Sequence, residues 1–200
     1  MNEQTLALHG LAIKKHGDVV GVAQITGLAE DAVKKHLDAA AEAGRVNKAG
    51  EKYILAPTAA ISLQSGYSRD FPRPRANAEM NAAYDDFETV NDQIKQLITD
   101  WQTMEMGGER LPNDHSDKEY DDTIIDKLGD LHERAEPVLD RMIAHLPRLK
   151  VYKDLLTAAL ERAEDGAIEW VSDAKIMSYH TVWFELHEDL LRVLGRERVE

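Results

Sequence analysis

The amino-acid sequence predicts a mostly α-helical protein. Three short helices and a small β-hairpin come first, followed by an antiparallel bundle of about four helices. Three observations predict this. Apolar residues recur at three- and four-residue steps through most of the chain beyond residue 78, the spacing of a buried helix face. Gly27, Gly44 and Gly50 punctuate the first 55 residues at intervals suited to short helices and a tight turn. Prolines and arginines gather between residues 59 and 77, where two domains are expected to join. The reading is therefore a head over residues 1–58, a linker over 59–77 and a bundle over 78–200.

The elements of the head follow in order. Leu6, Leu8, Leu11, Ala12 and Ile13 give a first helix from Glu3 to Lys15, ended by Gly17. Asp18-Val19-Val20 reads as a short strand and Gly21 to Thr26 as a second helix. Gly27 supplies the turn, since a left-handed backbone is easiest for glycine. A third helix runs from about Leu28 to Ala43, with Val33, Leu37, Ala40 and Ala41 turned inward. Val20, Val22, Ile25, Leu28, Val33 and Leu37 then fill a three-helix core. Val46 and Tyr53-Ile54-Leu55 read as two strands around a turn at Ala49-Gly50.

With its elements in that order, the stretch VAQITGLAEDAVKKHLDAAAEAGRVNKAGEKYILAP resembles the winged helix-turn-helix of MarR-, ArsR- and GntR-type transcriptional regulators. The resembling region is about a quarter of the chain, and it points to the fold rather than to one family. It implies that the third helix enters the DNA major groove and the hairpin acts as the wing. Glu30, Asp31, Lys34, Lys35 and Asp38 then face outward. Lys34 and Lys35 suit phosphates or guanine edges, and Lys48 and Lys52 flank the wing turn. Arg45 completes the head's contact set. Arg73 and Arg75 are added from the linker, where Pro72 and Pro74 are expected to prevent a regular helix.

The body reads as helices throughout. Tyr84, Phe87, Asn91, Ile94, Ile98 and Trp101 form one stripe, and a loop runs from Met104 to Ser116 through Gly107-Gly108. A second helical stretch spans Tyr120 to Leu146 and is expected to kink or split at Pro137. A third begins at Pro147 and ends near Gly166. The last, with Ser172 as its expected N-cap, ends at Gly195. Its inward face carries Ile176, His180, Trp183, His187, Leu190 and Leu194. Asn91, His132, His180 and His187 are polar groups on or beside apolar stripes. They fit hydrogen-bonded core residues, the lining of a small-effector pocket walled by Trp101, Tyr179 and Trp183, or a metal site. Spacing speaks against metal. His180 and His187 lie two turns apart, roughly 10 Å along a helix at 1.5 Å per residue, and neither His-x-x-x-His nor Glu-x-x-His occurs.

Charge and composition narrow the function. Lys and Arg number 24 against 37 Asp and Glu, a net −13. Residues 1–52 hold seven of each sign, so the acidity lies in the body. With no cysteine there is no disulfide, thiolate site or cysteine nucleophile. No phosphate-binding Gly-rich loop or Gly-x-Ser-x-Gly elbow is present, and no catalytic residue or cofactor is expected. No run of apolar residues suits a membrane, and no signal peptide is evident, so a cytoplasmic protein is expected. The reading is a DNA-binding transcriptional regulator, a homodimer whose bundle dimerises or senses a small-molecule effector. The alternatives are a protein-interaction module with the acidic body as its docking surface, and a bundle that binds metal or ligand.

Overall fold

Asn2 opens the first helix. Its side-chain oxygen accepts from the Thr5 amide, giving a partner to one of the unpaired N–H groups of α1 (Glu3–Lys14). The computed structural model describes residues 1–106 and 108–197 and is mostly helical. Its residues group into two units: Met1–Asn77 with Glu185–Glu200, and Ala78–Phe184. The last helix, α10 (Tyr179–Leu194), contributes to both. The bundle expected to run from 78 to 200 therefore ends as a unit at Phe184.

In the first unit Asp18 caps α2 (Val19–Thr26), accepting from the Gly21 amide at 2.7 Å. That cap starts a helix at Val19 and overturns the strand expected over Asp18-Val19-Val20. Only Gly17 bridges to Tyr53, through backbone hydrogen bonds of 3.2 and 2.8 Å. Gly27 ends α2 at φ 71°, as the turn requires. The third helix, α3 (Glu30–Glu42), buries Val33, Leu37 and Ala40 in a core that also holds Leu8, Leu11, Ile13, Val22 and Ile25. Strands β1 (Val46–Ala49) and β2 (Lys52–Leu55) pair with Ala49 opposite Lys52. The turn is thus Gly50-Glu51, one residue later than the spacing suggests.

The expected linker is helical. It forms α4 (Pro57–Asp70) and α5 (Pro72–Ala76), and α4 buries Ala59, Leu63 and Tyr67. The prolines do not break these helices because Pro57 and Pro72 stand at helix starts. A missing N–H costs nothing there, and the fixed φ suits the first turn. The second half of α10 adds Leu186, Leu190, Leu191 and Leu194 to the buried residues of this unit.

The second unit holds α6 (Ala78–Gln102), α7 (Lys118–His145), α8 (Lys150–Glu164), the short α9 (Glu169–Ser172) and the start of α10. Polar pairs fix α6 and α7 as antiparallel: His145 meets Glu79, Arg141 meets Asp86, and the Tyr120 hydroxyl donates to the Asp100 carbonyl. The pairs Lys153–Asp140 and Thr157–His132 run α8 back along α7. Three expectations are corrected. Strands β3 (Thr103–Met106) and β4 (Glu109–Pro112) make a hairpin within the expected loop. Thr103-Met104-Glu105-Met106 alternates polar and apolar as a strand does. Gly107 lies outside the described residues. The helix α7 continues unbroken through Pro137, which is exposed, so the carbonyl left without a partner faces water. Ser178, not Ser172, caps α10: its hydroxyl accepts from the Thr181 amide at 3.3 Å. No described helix is long and apolar enough to cross a membrane.

Candidate nucleic-acid interface

The outer face of α3 is open. Glu30, Asp31, Lys34 and Lys35 are exposed, as are Lys48 and Lys52 on the hairpin. The sequence places these groups outward because Val33, Leu37 and Ala40 occupy the opposite, buried side at helical spacing. Four of the seven residues expected to contact DNA thus share α3 and the adjoining hairpin.

They differ in how they are held. Lys34 donates to Asp38 at 2.6 Å, Lys48 donates to the same carboxylate at 3.0 Å, and the Tyr53 hydroxyl donates to it at 2.7 Å. The Lys48 ammonium also sits 5.0 Å from the centre of the Tyr53 ring. These donors, Lys34 first, hold the Asp38 carboxyl well below the usual carboxylate range. The Lys34 ammonium is raised by its bond to Asp38, and that of Lys48 by Tyr53 and Asp38. Lys35 and Lys52 make no ion pair among the described residues.

The remaining arginines divide. Arg73 is exposed, and Arg45 is half-buried between α3 and β1. Arg75 has a structural partner: its Nε donates to the Val193 carbonyl at 2.7 Å and its Nη2 to the Arg192 carbonyl at 3.0 Å. A cation is favoured there by the unpaired carbonyls and negative dipole end of α10. Gly195, at φ 70°, lets the chain turn beside the guanidinium, which lies 3.0 Å from where a Cβ would stand. The first unit carries 13 Lys and Arg against 13 Asp and Glu, and the second 11 against 24. The whole net charge therefore belongs to the second unit.

The first unit also holds a buried polar group that sequence reasoning missed. His9 of α1 is buried, with Nδ1 2.8 Å from the Tyr67 hydroxyl and Nε2 2.9 Å from the Asp189 carboxylate. Nearby in the sequence of α1, Lys14 pairs with buried Glu185 at 2.8 Å. Burial pushes the Glu185 carboxyl up, and Lys14 opposes that shift. The only available signal was a histidine within an apolar helix. Its partner stands 180 residues away.

The effector-pocket candidates are partly brought together. In the second unit the Trp183 indole donates to Asn91 at 3.0 Å and stacks on Phe87 at 4.7 Å. His132 lies 3.2 Å from the Tyr179 hydroxyl and 3.3 Å from that of Thr157. Tyr179 stacks on Trp183 at 6.2 Å, which joins the two pairs into one buried network. Burial lowers His132 and His180 from the usual histidine range and raises Tyr179. Trp101 is not part of this network. It stands ten residues beyond Asn91 on α6, roughly 15 Å along the axis, and packs on His115 with ring centroids 4.5 Å apart. His187 belongs to the first unit and is buried there.

A second polar cluster was also missed. Asp121, 3% exposed, accepts from Asn113 at 2.9 Å and lies 3.0 Å from His115 Nδ1. With Asp122, Asp126 and Glu164 this pair lines a cleft of about 640 Å³. No group of His, Asp or Glu among the described residues is arranged to hold a metal ion. Comparison with family models, curated proteins and solved structures gives no match.

Proposed function

We propose that the first unit is a winged helix-turn-helix that binds DNA and that the chain is a transcriptional regulator. One observation carries this reading: three helices and a hairpin in the required order present Lys34 and Lys35 on the open face of α3, with Lys48 and Lys52 on the adjoining hairpin. In such an arrangement α3 lies in the major groove and the hairpin follows the backbone. Phosphate contacts give non-specific affinity that falls with salt, with a log–log slope of at most about −3.6 per head when all four lysines engage. A homodimer doubles the contacts, which a head without excess positive charge needs. The effector role proposed for the bundle finds less support, because Asn91, His132, Tyr179 and Trp183 are engaged with one another.

Fluorescence anisotropy with labelled duplexes at low salt tests the proposal. Binding that weakens steeply with salt, and that falls in a Lys34→Ala/Lys35→Ala variant, supports it. No binding, or binding indifferent to that double substitution, rules it out. The competing reading is a protein-docking module. Glu30 and Asp31 on the α3 face favour it, as does the excess of acid in the second unit. It predicts no duplex binding at any salt concentration.

A further inference from the structure

We infer that Lys34, Lys48 and Tyr53 form a phosphate seat, and that Asp38 is its built-in occupant, setting how tightly the head holds a nucleic-acid backbone. The inference rests on the DNA reading above. Three donors from α3, β1 and β2 converge on one carboxylate: Lys34 on Oδ2 at 2.6 Å, and Lys48 and Tyr53 on Oδ1 at 3.0 and 2.7 Å. A Lys–Asp pair at i,i+4 is common on helices and means little alone. The two donors reaching over from the hairpin are not explained by helix geometry.

The arrangement is also open to exchange. The Asp38 side chain is 33% exposed, and those of Lys34 and Lys48 are 60% and 44% exposed. A cleft of about 430 Å³ lies beside them, lined by both lysines, Tyr53 and Val20, and also by the carboxylates of Asp18 and Glu51. A phosphodiester presents anionic oxygens that the same ammonium and hydroxyl donors can serve. While Asp38 occupies them, both lysines are neutralised, and an arriving phosphate also meets the charge of Asp38. Two of the four lysines on this face are therefore attenuated by one residue.

The test compares the full-length protein with its Asp38→Asn variant, in which an oxygen remains for the Tyr53 hydroxyl. Both are titrated with duplex DNA by anisotropy, and with inorganic phosphate followed by the amide chemical shifts of Lys48 and Tyr53. The seat predicts at least about tenfold tighter duplex binding by the variant, with a log–log salt slope steeper by up to about 1.8, the share of two more phosphate contacts. It also predicts phosphate-dependent shifts in the variant that the parent lacks. A variant that binds duplex and phosphate no better than the parent overturns the inference. So does weaker duplex binding, which would make Asp38 a group that positions the lysines. Phosphate binding by the variant, with no duplex binding by either protein, supports the seat while refuting the DNA reading.

Discussion

Gly10→Ala tests the packing that sets α3 in place. Gly10 is where α1 crosses α2: a Cβ there would stand 2.5 Å from Thr26 Cγ2 and 3.1 Å from Val22 Cγ1. Thr26 cannot swing aside freely. Its hydroxyl donates to the Val22 carbonyl at 2.7 Å, and its branched side chain has few rotamers. Overpacking of this kind costs about 1–3 kcal/mol, and losing the hydroxyl's bond adds about 1 kcal/mol. Alanine recovers nearly 1 kcal/mol of helix propensity. A net loss of about 2 kcal/mol is expected from urea unfolding followed by circular dichroism. Thr26→Ser removes Cγ2 and keeps the hydroxyl. In that background Gly10→Ala should be near neutral, giving a coupling above roughly 1 kcal/mol in the double-mutant cycle. An equal cost in both backgrounds would refute the contact as the cause.

Two other outcomes follow from the core and the helix ends. Arg75→Ala should lower the thermal midpoint by freeing the last carbonyls of α10, yet leave the salt slope of DNA binding unchanged; Arg73→Ala should do the reverse. A reduced slope in Arg75→Ala would return that residue to the DNA surface. His132 is depressed by burial, so the unfolded chain takes up the proton first as pH falls. Its contribution to stability is therefore present above about pH 6.5 and declines as pH drops below it. His132→Gln should flatten the dependence of the urea midpoint between pH 7.5 and 5.5, and an unchanged slope would contradict the assignment.

What was legible in the sequence was what repeats locally. The stripes of α6, α7 and α3 follow from apolar spacing, and Gly27 marks its own turn. Element ends were harder, because one side chain decides them. Asp18 turns an apparent strand into a helix start, and Ser178 displaces Ser172 as the cap of α10. Pro72 and Pro74 read as breakers because composition does not show that a helix begins there. The lysines of the α3 face were visible, since exposure follows from the buried face opposite. Their restraint by Asp38 was not, because it depends on the hairpin folding back over α3. The His9–Asp189 bond and the pairing of Arg75 with the last carbonyls of α10 both need the C-terminal helix to return to the N-terminal unit. No local pattern encodes that return.

The central claim is that α3 and the hairpin hold a nucleic-acid backbone. The most direct measurement is the salt dependence of duplex binding by the parent protein and by Lys34→Ala/Lys35→Ala. The account predicts a linear fall of log affinity with log salt, and a slope shallower by about 0.9 in the double variant, for the phosphate contact of Lys35, since Asp38 already occupies Lys34 in the parent. Identical slopes for the two proteins, or no binding at low salt, would contradict it.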